Sequence, residues 1–221
     1  MEIKLQDNKK RSVRIIAILR KKYPKAKTSL KYKNPFHLLI ATILAAQCTD
    51  KRVNSLTPSL FHKYKSPRDF AKADQKTLER EIRSTGFYRN KAKNIISASK
   101  IITRDFSGKV PQSMQELTTL PGVARKTANI VLSSSFRKTE GIAVDTHVKR
   151  LAIRLGLSDK KDPDKIEQDL MKIVPREDWI DFNYLLVEHG RKVCIARMPL
   201  CPECSLRGLC PSAGKFYQIL D

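Results

Sequence analysis

The sequence predicts an all-α protein. Apolar residues recur at helical spacing in three stretches, within residues 15–19, 36–44 and 92–102. Helix start signals, in which a capping side chain precedes a proline, occur at Ser66-Pro67 and at Asp162-Pro163. Alternating apolar runs do not flank a two-residue turn anywhere in the sequence, so we expect no sheet. The chain also has no Gly/Ser-rich linker, so we expect its domains to be packed together.

The charge balance indicates a polyanionic partner. The 221 residues include 44 Lys and Arg against 22 Asp and Glu, a formal net charge of +22. Such an excess destabilises a protein through self-repulsion unless a polyanion binds it, and the basic residues are spread along the chain. Nucleic acid is the expected partner. An anionic membrane surface and ribosomal RNA are the alternatives, although no apolar stretch is long enough to span a bilayer.

The N-terminus, from Met1 to Arg11, is polar and lacks the apolar core of a signal peptide. We therefore expect an intracellular protein, which in a prokaryote means the cytoplasm and its nucleoid. A monomer without any membrane association is expected.

Metal-ligating chemistry is concentrated near the C-terminus. Four of the five cysteines fall within 17 residues: Cys194, Cys201, Cys204 and Cys210. Four thiolates this close together can bind one tetrahedral metal ion or the four corners of an iron–sulfur cluster. Disulfides are disfavoured inside the cell. Because only one cysteine pair has the close spacing typical of zinc sites, the spacing alone leaves zinc and a cluster both open. Arg191 and Arg197 flank this region as candidate DNA-phosphate contacts, or as ordinary solvated charges.

A second motif, Leu120 to Asn129, lies between two predicted helices. A capping-box sequence at Ser113 starts the first helix, Pro121-Gly122 breaks the chain, and a second helix is predicted over 127–136. This pattern predicts a helix–hairpin–helix, whose turn presents backbone N–H groups to an anion such as a DNA phosphate. The candidate contacts in this motif are Gly122, Ala124, Arg125 and Thr127.

Lys126 and Asp145 each admit two interpretations. A lysine at a helix start is commonly a phosphate contact. It can also be a nucleophile, because the partial positive charge of the helix N-terminus favours the neutral amine that attack on carbon requires. Asp145 follows an apolar run and precedes a predicted helix, so it is either an ordinary N-cap or a carboxylate that stabilises a developing sugar cation.

Taken together, the motifs resemble the endonuclease III family within the helix–hairpin–helix DNA glycosylase superfamily. The resemblance covers about residues 34–210 and rests on five blocks in the same order: residues 44–50, 86–92, 120–129 and 144–147, and the four-cysteine spacing. This sequence departs from the family pattern at two positions and by one extra residue between Lys126 and Asp145. Ala124 replaces the second glycine of the hairpin, and Phe87 is aromatic where an aliphatic residue is common.

The resemblance implies a fold of two helical lobes with DNA in the cleft between them. Residues 28–137 would form a six-helix lobe with the hairpin, and residues 1–27 plus 138–221 a second lobe whose four cysteines carry a [4Fe–4S] cluster. It implies a base-excision-repair enzyme, a bifunctional DNA N-glycosylase and AP lyase. The partner would be double-stranded DNA with a damaged base or abasic site, and the target bases oxidised or ring-saturated pyrimidines.

The resemblance also implies roles for single residues. Lys126 would attack C1′ of the flipped nucleotide and form a Schiff base, and β-elimination would then nick the strand on the 3′ side of the abasic site. Asp145 would activate the lysine or stabilise the sugar cation. Gln47 would fill the space left by the flipped base, and Phe87 would separate the strands. The alternatives are a monofunctional relative, which would lack the lysine, and a zinc-bearing DNA-binding module, against which the presence of both Lys126 and Asp145 argues.

Overall fold

A computed structural model describes residues 2–216, and this part of the chain contains helices and no β-strand, as the sequence predicted. It folds as two compact units, one formed by Ser29–Glu140 and the other by Met1–Thr28 together with Gly141–Asp221. None of the helices in the described residues combines the length and apolarity that a membrane span requires.

Eleven α-helices follow one another within residues 2–216: α1 (Glu2–Lys22), α2 (Pro35–Leu44), α3 (Asp50–Lys63), α4 (Pro67–Ala71), α5 (Gln75–Glu81), α6 (Tyr88–Asp105), α7 (Met114–Thr118), α8 (Arg125–Phe136), α9 (Thr146–Arg154), α10 (Pro163–Ile173) and α11 (Trp179–Lys192). Short 3₁₀-helices are formed by Arg83–Thr85, Arg176–Asp178, Arg207–Leu209 and Ala213–Phe216.

Helix α2 is the centre of the unit Ser29–Glu140. All its side chains from Phe36 to Leu44 are buried, and it packs against α3, α6 and α8. The helix begins where the sequence directs it to begin, because Asn34 accepts a hydrogen bond from the His37 N–H at 2.8 Å and Pro35 occupies the first helical position. Helix α6 contributes its apolar stripe, including Ile95 and Ile102, to the same core.

The second unit has its own core. Ile15 and Leu19 of α1 pack with side chains of α9, α10 and α11, among them the fully buried Phe182. After α11 the chain continues to the end of the described residues with 3₁₀ turns as its only helices. Leu206 anchors this C-terminal segment in the core, where it is 1% exposed. This segment carries the four cysteines.

The predicted helix starts are largely confirmed. Ser66 and Asp69 form a reciprocal capping box, and Asp162 accepts the Lys165 N–H at 3.0 Å. The capping box predicted at Ser113 is only half formed. The Ser113 hydroxyl accepts a hydrogen bond from the Glu116 N–H at 3.2 Å. The Glu116 carboxylate, however, accepts a hydrogen bond from the Ser113 hydroxyl at 2.7 Å and not from the Ser113 backbone N–H.

Candidate active site

The turn between α7 and α8 requires glycine at one position. Leu120 and Val123 are buried and hold the turn against the core. Between them, Gly122 has a φ of +81°, and a Cβ added there would lie 3.0 Å from the side chain of Asn94 on α6. Any other residue would therefore suffer both the backbone strain of the left-handed region and a steric clash.

Ala124 does not need to be glycine. Its φ of −88° and ψ of 170° are extended backbone, which any residue adopts without strain. The departure from the family's second glycine therefore introduces no backbone penalty. Ala124 is the N-cap residue of α8, and since alanine has no side-chain acceptor, it cannot cap the first N–H groups of the helix. This turn can offer those backbone donors to an anion.

We expect Gly122→Ala to lower the free energy of unfolding by about 1–2 kcal/mol through backbone strain alone, with a further loss from the contact with Asn94. Gly108→Ala is the matched control, because Gly108 has a φ of +78° but an added Cβ would meet no described atom within 4 Å. Urea unfolding of both variants and of Ala124→Gly measures the difference. Equal losses at the two glycines would show that the contact with Asn94 is unimportant.

Lys126 occupies the first turn of α8. This helix begins at Arg125, two residues earlier than predicted. The Lys126 side chain is exposed, whereas Ala128, Val131 and Leu132 form the buried face of the same helix. Arg125 and Thr127 are half-buried on either side. The ammonium group is thus presented to solvent at the positive end of the helix dipole, where an incoming anion is also favoured.

Gln47 and Phe87 lie in the same unit as Lys126 and share an unusual backbone. Both have left-handed φ angles, 53° and 47°, and both side chains are exposed. Phe87 is 63% exposed, although it is a large apolar residue. A bulky residue in this region of backbone space carries strain and is more frequent at functional sites than elsewhere.

Lys91 was not singled out from the sequence, yet it is the best-buried lysine among the described side chains, with 4% exposure. Its Nζ donates to the carbonyl oxygens of Leu44 and Thr85, each at 2.8 Å. Burial lowers the pKa of the Lys91 ammonium from its ordinary value. Its position on the apolar stripe of α6, beside Ala92 and Ile95, is the sequence signal that could have indicated a buried cation.

Asp145 belongs to the other unit, at the start of α9. Its carboxylate accepts the Val148 N–H at 2.8 Å, so the N-cap interpretation is correct as a structural role. A carboxylate has two oxygens, and the bond to Val148 involves Oδ1. The second oxygen can still accept or face a positive charge.

The four cysteines line one pocket in this second unit, together with Leu151, Leu155 and Leu206. Each thiol is free and half-buried. Burial raises the pKa of the thiols of Cys201, Cys204 and Cys210. Four thiols around an apolar cavity are a poor arrangement for thiolates alone and a suitable one for a positively charged iron cluster that is bound by sulfur.

Two donors, the half-buried Arg154 and the buried His189, are directed at these sulfur atoms. Arg154 Nη1 lies 3.3 Å from Cys194 Sγ and donates to the Ile195 carbonyl at 2.8 Å. His189 Nε2 lies 3.3 Å from Cys204 Sγ, while its Nδ1 lies 3.1 Å from the Tyr23 hydroxyl. Donors of this kind usually surround thiolate ligands, so the residues fit the cluster. Arg191 and Arg197 nearby are both exposed.

The buried ring of His189 is uncharged. Burial, reinforced by Lys22, lowers the pKa of His189 to about 4, so the ring is neutral near pH 7. Burial, reinforced by the negative charge of Cys204, raises the pKa of Tyr23 to about 12, so its hydroxyl keeps its proton. When the Tyr23 hydroxyl donates a hydrogen bond to Nδ1, the neutral ring carries its own proton at Nε2, where the N–H is directed at the Cys204 sulfur.

Comparison with known proteins agrees with this geometry. Residues 40–176 match the family model described as HhH-GPD superfamily base excision DNA repair protein. The chain is 55% identical to an endonuclease III of Synechocystis, over 95% of this chain and 96% of the relative. A solved non-covalent endonuclease III–DNA complex is 42% identical with a TM-score of 0.90 and covers 95% of this chain and 98% of its own. A trapped endonuclease III–DNA covalent intermediate is 43% identical with a TM-score of 0.89 and covers 94% and 97%. The chain therefore belongs to the endonuclease III family of base excision repair DNA glycosylases/lyases.

Proposed function

We propose that this chain is a bifunctional DNA N-glycosylase and AP lyase that removes oxidised or ring-saturated pyrimidines, with Lys126 as the nucleophile. The observation that carries the proposal is the exposed Lys126 ammonium in the first turn of α8, directly after a turn that requires glycine at position 122. A similar protein has been trapped as a covalent intermediate with DNA, which supports a nucleophile in this chain too. The enzyme would act as a monomer on double-stranded DNA, in the cytoplasm of a prokaryote.

The chemistry follows from an amine at this position. The neutral Nζ of Lys126 attacks C1′ of the damaged nucleotide, the glycosidic bond breaks, and the base departs with the bonding electrons and accepts a proton. Opening of the sugar ring converts the Nζ–C1′ bond to a Schiff base. Loss of a C2′ proton then expels the 3′ phosphate, and water finally releases the lysine. Asp145 stabilises the positive charge that develops at C1′ or accepts the ammonium proton.

Phosphate binding is assigned to the hairpin turn and the start of α8. The backbone there includes Gly122 and Ala124, and the N-cap side chain of α8 accepts no hydrogen bond from the first N–H groups of the helix. Arg125 and Thr127 border the same turn. Exposed Arg191 and Arg197 would add phosphate contacts from the second unit. Phosphate contacts position the duplex without reading its sequence, as a repair enzyme requires.

Borohydride trapping tests the proposed function directly. Sodium borohydride reduces a Schiff base to a stable amine, so wild-type protein mixed with duplex DNA containing an abasic site should give a covalent protein–DNA band. Strand nicking on the 3′ side should appear in the same reaction without borohydride. A wild-type protein that excises a damaged pyrimidine but gives neither band nor nick would be a monofunctional glycosylase, and the lyase part of the proposal would be wrong.

Salt should weaken DNA binding steeply. Each neutralised phosphate contributes about −0.9 to the slope of log K against log salt concentration for duplex DNA. Fluorescence anisotropy with labelled duplex at several KCl concentrations measures this slope. Arg197→Gln should reduce its magnitude by about one phosphate equivalent, whereas Arg104→Gln should leave it unchanged, because Arg104 is paired with Asp105 at 2.6 Å on the surface. A flat response would contradict binding through the phosphate backbone.

The four cysteines are proposed to hold a [4Fe–4S] cluster whose contribution is to fix the C-terminal segment. The four cysteines line one pocket, and the resemblance to the endonuclease III family supports a [4Fe–4S] cluster over a single zinc ion there.

We expect the purified protein to be brown and to contain iron and acid-labile sulfide in similar amounts. Cys204→Ala should remove the visible absorbance and destabilise the second unit, since the bond with His189 is lost as well. Cys48→Ala is the matched control, because Cys48 lies in the other unit and should not affect the colour. A colourless protein with stoichiometric zinc would contradict the cluster.

A further inference from the structure

A buried ammonium group joins the ends of two helical segments in the unit Ser29–Glu140. Lys91 on α6 is 4% exposed, and its Nζ donates to the carbonyl of Leu44 and to that of Thr85, each at 2.8 Å. Leu44 is the last residue of α2, and Thr85 is the last residue of a 3₁₀-helix. Carbonyl groups at a helix C-terminus lack partners within the helix, and their partial negative charge favours a cation.

The arrangement is stable only as long as both bonds are made. Moving a charged amine out of water is strongly unfavourable, and hydrogen bonds from the charge must offset this loss. If the amine were removed, both carbonyls would be left without this partner in the core. The position of each helix end is therefore tied to the position of the other through one side chain.

Each of these carbonyls belongs to a residue that lies two or three positions before one that we propose inserts into the DNA duplex. Gln47 follows Leu44 by three residues, and Phe87 follows Thr85 by two. A chain of two or three residues spans at most about 7–11 Å. The ammonium therefore fixes the chain within this distance of both exposed residues, Gln47 and Phe87. Both have left-handed backbones, which persist only where the surrounding structure enforces them.

We propose that Lys91 is a positioning residue that holds Gln47 and Phe87 in a fixed mutual arrangement for insertion into the DNA duplex. The proposal rests on the proposed function, since it needs a nucleotide to be flipped. Lys91 touches no DNA and takes no part in the attack by Lys126. It acts through the two turns that carry Gln47 and Phe87. Gln47 would fill the space left by the flipped base, and Phe87 would separate the strands.

The test compares two substrates. On a duplex abasic site, insertion of Gln47 and Phe87 is needed to expose the sugar, whereas in single-stranded DNA the sugar is already accessible. Lys91→Met keeps an unbranched chain as long as the aliphatic part of lysine and removes the charged donor group at its end. We expect borohydride trapping and nicking on duplex DNA to fall by about ten- to a hundredfold, the effect of a misplacement near 1 Å. Trapping on single-stranded abasic DNA should fall by less than about threefold.

A second readout reports insertion itself. 2-Aminopurine placed opposite the abasic site becomes more fluorescent when its neighbours are displaced, so wild-type protein should increase its emission on binding. Lys91→Met at a saturating concentration should give a much smaller increase. Lys100→Met is the matched control, because Lys100 is exposed on the same helix and should behave as wild type in every assay.

The outcomes separate the positioning role of Lys91 from the proposed lyase activity. Equal losses on duplex and single-stranded DNA, or no loss on either, would overturn the positioning role. If Lys91→Met does not fold, Lys91→Arg supplies the test, because it keeps a charged donor but its wider guanidinium must shift the two turns, and we expect the same selective loss on duplex DNA. A wild-type protein that traps neither substrate would instead refute the proposed lyase and not the role of Lys91.

Discussion

Replacing Lys126 with alanine is expected to abolish the borohydride-trapped adduct and to reduce nicking at abasic sites by about a thousandfold or more, since removing a nucleophile removes the covalent path itself. Alanine favours helix more than lysine does, and the Lys126 side chain is exposed at the start of α8. The fold should therefore be unchanged. Gel analysis of the adduct, together with a thermal unfolding curve, measures both effects.

The phosphate-contact interpretation of Lys126 makes a different prediction. If the lysine only bound a phosphate, Lys126→Ala would weaken DNA binding but would still form the adduct once the DNA is saturating. Arg125→Gln is the matched control from the preceding position, and we expect it to weaken binding while leaving the adduct intact at saturation. An adduct in Lys126→Ala at saturating DNA would assign the attack to another amine.

Local sequence patterns predicted the helices well where the signals are themselves local. The apolar spacing from Phe36 to Leu44, with Asn34 and Pro35 before it, is sufficient to define α2. Helix α8 starts at Arg125, two residues before the predicted start at Thr127, because Ala124 gives no capping signal in the sequence. Sequence also leaves undecided whether Ala124 is strained. Its extended backbone depends on how the whole turn packs and not on the residue itself.

The residues that sequence reasoning missed are joined by long-range contacts. Lys91 binds a carbonyl 47 positions away, and Tyr23 binds His189 across 166 positions. Neither relation produces a local motif, since each depends on two distant segments meeting in the core. The cysteines differ, because four close thiols within 17 residues indicate a common site before any folding is known.

Asp145→Asn separates the two roles of Asp145. Asparagine caps helices about as well as aspartate, so the bond to the Val148 N–H should be retained and the free energy of unfolding should change by less than about 1 kcal/mol. The amide carries no negative charge to stabilise a sugar cation or to accept a proton. We therefore expect kcat/KM for nicking to fall by about 10²- to 10⁴-fold.

Asp162→Asn is the matched control, because Asp162 caps α10 through the same type of bond, to the Lys165 N–H at 3.0 Å. It should alter neither stability nor rate. Asp145→Ala should lose the cap as well, at about 1 kcal/mol of stability, with a loss of rate similar to that of the asparagine variant. If Asp145→Asn kept full activity while Asp145→Ala lost it, the carboxylate would act only as a cap, and the rate would depend on where α9 begins. A large loss in both variants, with stability lost only in the alanine variant, would instead assign the charge of Asp145 to the reaction and its bond with Val148 to the fold.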